Sequence, residues 1–172
     1  MNLMLDILHT EVGALSLVCN EKHLIAVEFE DMKSRLSAHL KARCGEYRLC
    51  SSRNPLGVSS RLEAYFAGDL SAIDAVSVDP FGTDFQHIVW RALREIPVGE
   101  TVSYGQLAAR LGKPNASRAV GLANSKNPIG IVIPCHRVVG ANGELTGYAG
   151  GLERKQWLLG HEQVSGQLSL PC

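Results

Sequence analysis

Cys135 and His136, adjacent in the run Pro134-Cys135-His136-Arg137-Val138, are the residues of this chain best suited by type to nucleophilic chemistry. A thiol attacks carbon only as thiolate, and with a reference pKa of ~8.5 it needs a neighbouring base or cation near neutral pH. His136 can be that base. Successive residues of an extended strand point to opposite faces, so the two can cooperate only through a turn at this point or a bridging water. Pro134 favours irregular backbone there. A histidine base in turn needs a group that selects its tautomer, and Glu162, near the end of the last expected helix, can supply a carboxylate. The alternative for any lone Cys-His pair is a buried cysteine beside a surface histidine.

The elements that must position these residues are legible in outline. Leu15 to Cys19 and Leu24 to Phe29 are apolar-rich runs around Asn20-Glu21-Lys22 and read as a hairpin, with Leu5 to His9 a third strand. The chain thus opens as a small antiparallel sheet. A polar, cysteine-containing stretch follows. Asn54-Pro55 breaks the chain, Val58 to Ala67 reads as a helix closed by Gly68, and Asp79-Pro80 marks a domain boundary between residues 1–79 and 80–172.

In the second half, Phe85, Ile88, Val89, Ala92, Leu93 and Ile96 recur on one helix face and should form core, before Pro97 and Gly99 end the helix. Ser103 with Gln106 is a capping-box pattern opening a short helix through Leu111, which Gly112 and Pro114 close. A second short helix, roughly Ala116 to Ala123, carries Ala119, Gly121 and Ala123. The pair is either a helix-turn-helix or ordinary helical packing. Small residues let its backbone approach a neighbouring helix or a nucleic-acid groove. The apolar run Ile129 to Ile133 then reads as a buried strand delivering Cys135 at its end. Asn142-Gly143 marks a turn, and Leu152 to Leu159 forms the last helix.

Composition limits the function classes. With 45% hydrophobic residues the chain can build a real core, and 17 basic residues balance 17 acidic ones. The balance is not uniform. Residues 1–79 carry 8 basic and 11 acidic side chains, residues 80–172 carry 9 and 6, and within 91–137 seven cations face only Glu95 and Glu100. Such a segment can follow a phosphate backbone or form a solvated face. The five cysteines, at 19, 44, 50, 135 and 172, form no C-x-x-C pair and are odd in number, which argues against a disulfide framework and for a reducing cytosol. No stretch approaches the ~20 apolar residues of a membrane span. A soluble, cytoplasmic protein without a membrane partner is the expectation.

Pro134-Cys135-His136-Arg137-Val138, with Asn127-Pro128 before it and Gly147-Tyr148-Ala149-Gly150-Gly151 after it, resembles the active-site signature of the O6-alkylguanine-DNA alkyltransferases, in the bacterial Ogt type of layout. The resemblance is dense over residues 81–162, through Phe85, Trp90, Val102-Ser103-Tyr104, Arg118-Ala119-Val120-Gly121 and Trp157-Leu158-Leu159. It is looser before that, through Gly13, the hairpin and Tyr65-Phe66-Ala67-Gly68. It implies an α+β fold of two domains. The N-terminal one would be ribonuclease-H-like, and the C-terminal one mostly helical and of winged helix-turn-helix type.

The activity implied is single-turnover transfer of an alkyl group from O6-alkylguanine in DNA to Cys135, O4-alkylthymine being a substrate left open. His136 would take the thiol proton through a water and Glu162 would hold His136. Asn127 would tie the recognition helix to the active-site segment. Tyr104 would crowd the target phosphate and give a proton to the departing guanine, while Tyr148, Ala149 and the Val138 backbone would line the base pocket. Arg118, backed by Ala119 and Gly121, would enter the base stack from the minor groove where the damaged nucleotide has left. The protein would act as a monomer on double-stranded DNA with no metal or other cofactor. Cys19 and His23 do not match the family's structural zinc ligands. Ser125-Lys126 stands where many relatives place a glycine. Two other classes compete: a thiol hydrolase built on Cys135 and His136, which would turn over, and a helix-turn-helix or damage-sensing protein that only binds.

Overall fold

The computed structural model describes residues 1–162 and divides the chain into two compact units, residues 1–81 with 128–132, and residues 82–127 with those from 133 onward. The first unit is built on strands β1 (Asn2–Thr10), β2 (Gly13–Cys19) and β3 (Leu24–Phe29), which form an antiparallel meander. The Asn20 side chain organises its second turn by accepting from the backbone N–H groups of Lys22 and His23. Two elements of this unit have no counterpart in the sequence reading. They are helix α1 (Lys33–Cys44) and strand β4 (Arg48–Ser51), which pairs parallel to β1 and completes a mixed sheet of order β3-β2-β1-β4.

Helix α1 covers one face of the sheet with only two buried side chains, Leu36 and Leu40, one turn apart, against Leu3, Val18, Ile25 and Ala26. Strand β3 is buried along its whole length. Its outer edge is bridged to Val78 and Ile129, with Leu24 donating to the Ser77 carbonyl, and Val27 to that of Pro128. An otherwise open row of edge donors is thereby paired. Helix α2 (Val58–Phe66) follows the Asn54-Pro55 break and buries Val58, Leu62, Tyr65 and Phe66.

The second unit begins at α3 (Asp84–Arg94), opened by a capping box between Thr83 and Gln86. Its buried face is rotated from the expected one. Ile88 is 40% exposed and Phe85 and Ala92 are half-buried, whereas Trp90 is only 2% exposed and donates its indole N–H to the Ala123 carbonyl at 2.9 Å. An indole buries more area than isoleucine and brings a donor that must be satisfied, so it decides which face turns inward. Gly82 makes room for it: a methyl group there would lie 2.5 Å from the Trp90 ring.

Strand β5 (Val102–Ser103) leads into α4 (Tyr104–Arg110) through the expected Ser103 and Gln106 capping box, and α5 (Ser117–Ser125) packs against α4. Strand β6 (Val138–Val139) pairs parallel to β5, and α6 (Leu152–His161) ends the described chain. The run Ile129 to Ile133 is not a strand. Beyond the bridge at Ile129 it is a chain of turns, with Ile131 at φ +70° and Val132 donating to the Gly130 carbonyl at 2.8 Å. A β-branched residue at positive φ is strained, and surrounding structure must hold it there. No helix among the described residues is long and apolar enough to cross a membrane.

Candidate active site

Cys135 opens a single turn of 3-10 helix, Cys135–Arg137, and is buried. Pro134, at φ −82° and ψ 64°, is the centre of a three-residue turn in which the Cys135 N–H donates to the Ile133 carbonyl at 2.8 Å. The chain therefore bends at Cys135, as cooperation between adjacent Cys and His residues requires. Two buried asparagines hold this bend. Asn127 donates to the Ile133 carbonyl at 2.8 Å, and Asn124, on α5, donates to the Cys135 carbonyl at 3.4 Å.

His136 is 0% exposed, and its Nε2 lies 2.8 Å from Glu162 Oε2. Arg137 clamps the same carboxylate, Nε donating to Oε1 at 2.8 Å and Nη2 to Oε2 at 3.1 Å, while its Nη1 donates to the Ile96 carbonyl at 2.7 Å. Burial alone would push the Glu162 carboxyl up, but the charges and hydrogen bonds of His136 and Arg137 hold it well below the usual carboxylate range. An ionised carboxylate only accepts, so the shared proton sits on Nε2. In the neutral imidazole Nδ1 is then the acceptor, and it is buried with no hydrogen-bond partner among the described residues.

Lys155 of α6 is 0% exposed, its ammonium donating to the carbonyls of Val138 and Thr146, both at 2.6 Å. Burial lowers it to about 8, and the charge of an ionised Cys135 works against that fall. The Tyr104 hydroxyl, on α4, donates to the Thr146 carbonyl at 3.1 Å. Burial raises it above the ordinary tyrosine value, the Thr146 bond opposes this, and a Cys135 thiolate adds to it. Both groups therefore feel the charge on the sulfur. A cysteine anion here has the Lys155 ammonium and the Tyr104 hydroxyl within electrostatic reach.

The structure thus brings together Cys135, His136, Glu162, Asn127 and Tyr104 of the residues expected from sequence. Val138 is buried in β6, Tyr148 is half-buried and Ala149 is exposed. On α5, Arg118 and Ala119 are exposed, but Gly121 turns toward the Tyr104 ring, 3.5 Å from where a β-carbon would be, and Ala123 is buried beside Trp90. A methyl group at Gly121 would meet the Tyr104 ring at ordinary van der Waals distance, and Ala123 is part of the buried face of α5. Arg137, Lys155 and Asn124 were missed. A signal for Lys155 existed: with Leu152, Leu159 and Glu162 it lies on one helical face, the face that α6 buries.

In the first unit Cys19 is buried and its thiol pushed up to about 11 by that burial, while His23 Nδ1 lies 2.6 Å from Ser77 Oγ. Among the described residues no group of three or more His, Cys, Asp and Glu side chains is gathered as a metal site.

Residues 3–80 match the family model for the 6-O-methylguanine DNA methyltransferase ribonuclease-like domain, and residues 84–164 match that for its DNA-binding domain. The chain is 53% identical over 156 residues to the methylated-DNA–protein-cysteine methyltransferase of Salmonella typhimurium, covering 89% of this chain and 91% of that one. To the protein of the same name from Methanosarcina barkeri it is 46% identical over 158 residues, covering 92% and 96%. Among solved structures, the O6-methylguanine methyltransferase of Mycobacterium tuberculosis superposes with a TM-score of 0.78 at 39% identity, over 94% of this chain and 93% of that one. That organism's OGT in complex with DNA superposes with the same TM-score of 0.78, at 40% identity over 95% of this chain and 93% of that one.

Proposed function

The chain belongs to the 6-O-methylguanine DNA methyltransferase family, and from that premise we propose that Cys135 is itself the acceptor of the alkyl group, once per molecule. The activity is DNA repair by alkyl transfer from O6-alkylguanine to a protein cysteine. What carries the assignment of Cys135 is the buried His136–Glu162 contact of 2.8 Å beside it, which commits Nε2 to the carboxylate and makes Nδ1 the accepting nitrogen of the neutral ring.

The steps balance as a direct displacement. His136 takes the Cys135 proton through a bridging water, and Glu162 and Arg137 keep its ring from rotating. The sulfur attacks the alkyl carbon, the carbon–oxygen bond breaks, and its electron pair leaves with the guanine. Tyr104 supplies the proton that guanine needs and is reprotonated from the imidazolium by way of solvent. The products are a thioether and an intact guanine. A thioether has no acyl carbon for water to attack, so the protein is consumed.

An alkyl group on O6 lies inside the duplex, and the nucleotide must leave the stack at a cost of a few kcal/mol. Arg118, exposed on the open face of α5, enters the vacated space from the minor groove. The protein binds as a monomer, and Tyr148, Ala149 and the Val138 backbone line the pocket for the extruded base.

The test is mass spectrometry after incubation with duplex carrying a single O6-methylguanine. One methyl per protein on the Cys135 peptide is expected, with none on the Cys135→Ser variant, which should still bind. Multiple turnovers, or repair with an unmodified Cys135 peptide, would overturn the assignment in favour of a hydrolase. Binding without transfer by the unaltered protein would make it a sensor.

A further inference from the structure

Leu122 is 62% exposed, more than any other large hydrophobic side chain described in the second unit. A single surface leucine needs no explanation. Its position does. Helix α5 buries Val120, Ala123 and Asn124 and exposes Arg118, Ala119, Leu122 and Ser125, so Leu122 lies on the same face as Arg118, one turn further along the axis, about 6 Å away. The Ser125 hydroxyl donates back to the Leu122 carbonyl at 2.7 Å. That hydroxyl proton is thus spent on the helix's own backbone. The centre of this face is apolar, from the Ala119 methyl to the Leu122 side chain, with exposed cations at both ends, Arg118 and Lys126.

That pattern differs from a surface meant only to track phosphates, which would be polar along its length. It fits a groove whose edges are anionic and whose walls are sugars. We propose that Leu122 is a second anchor on duplex DNA, packing in the minor groove against the deoxyribose walls beside the nucleotide displaced by Arg118. The inference rests on the reading that the open face of α5 meets DNA. Leu122 supplies apolar contact where Arg118 supplies charge and wedge. Its contribution is consequently insensitive to salt, whereas phosphate contacts weaken as salt releases their advantage.

The experiment measures binding to O6-methylguanine duplex across a potassium chloride series, together with single-turnover rates on that duplex and on free O6-benzylguanine. Leu122→Ala should weaken duplex binding roughly tenfold at every salt concentration, with an unchanged slope against log salt, as expected for loss of most of a buried leucine side chain. The ratio of duplex to free-base reactivity should fall with it, which a general folding defect would not produce. Leu122→Met, similar in volume and equally apolar, should restore both. Arg118→Ala, run in parallel, separates the two claims. If it lowers duplex reactivity while Leu122→Ala matches the unaltered protein, the Leu122 inference is wrong and the DNA-facing reading stands. If both variants bind and react as the unaltered protein does, the reading of α5 itself fails.

Discussion

Lys155 and Tyr104 share one acceptor: the Thr146 carbonyl takes a hydrogen bond from the ammonium at 2.6 Å and from the phenol at 3.1 Å. The loop carrying Thr146 is thereby pinned from two helices at once, and both donors respond to charge on Cys135. A lysine spending its charge on two carbonyls, with no carboxylate partner in the described contacts, keeps that charge available to an anion that forms beside it.

Lys155→Met keeps much of the side-chain volume but removes the donor and the charge. It should lower stability by about 1–3 kcal/mol, the cost of leaving the Val138 and Thr146 carbonyls without this partner, and slow transfer from both free O6-benzylguanine and duplex. In the unaltered protein the ammonium charge is present below about pH 8 and lost above it, so the rate assistance it gives should decline there. The folded lysine releases its proton before the unfolded one, whose value is 10.5, so between those values the unfolded chain holds more protons and this group's contribution to stability rises with pH. A pH–rate profile for Lys155→Met should lack the step; its persistence would assign it to another group.

Glu162→Gln leaves the buried Arg137 guanidinium without its counter-charge, and a loss of about 3–5 kcal/mol is expected, read by urea unfolding at neutral pH. The acid side carries the sign. Because the folded carboxyl lies well below its ordinary value of 4.5, the unfolded chain takes up that proton first. The stability it contributes is complete above the ordinary value and drains away as pH falls toward the folded one. The variant should show a shallower acid-side loss. An equally steep loss in both proteins would remove Glu162 as its source.

Asn127→Ala deletes the donor to the Ile133 carbonyl, two residues before Cys135. A buried acceptor left unmade costs about 1–3 kcal/mol, and the bend that presents Cys135 loosens. Thermal unfolding and the rate with free O6-benzylguanine should both fall. A stability loss with full reactivity would show that the bend survives without Asn127, leaving Asn124 and the Pro134 turn to hold it.

Arg118→Ala changes an exposed side chain, so stability should hold within about 0.5 kcal/mol. Duplex repair should slow by an order of magnitude or more, roughly what losing a wedge against a few kcal/mol of unstacking implies, while reaction with free O6-benzylguanine changes little. Rates on the two substrates, compared for one protein preparation, decide it. Equal losses would leave the finger role without support.

The local devices of this protein were legible from its residues alone, because each is settled within a few positions along the chain. The Ser103 and Gln106 capping box, the Asn20 and Gly143 turns, the hairpin and the helix after Asn54-Pro55 all belong to this kind. Helix α1 was silent because two leucines one turn apart do not make a periodicity. The run Ile129 to Ile133 misled because apolar composition reports burial, not conformation. Whether those residues extend or turn depends on who takes their backbone hydrogen bonds, and here the takers include Val27, far away in sequence, and the side chain of Asn127. The same reason governs the site. Arg137, Lys155 and Asn124 act on Cys135 or His136 only because packing brings Ile96, Thr146, Val138 and Glu162 to them, and charges buried at that range are set by three-dimensional neighbours, which no short stretch of sequence contains.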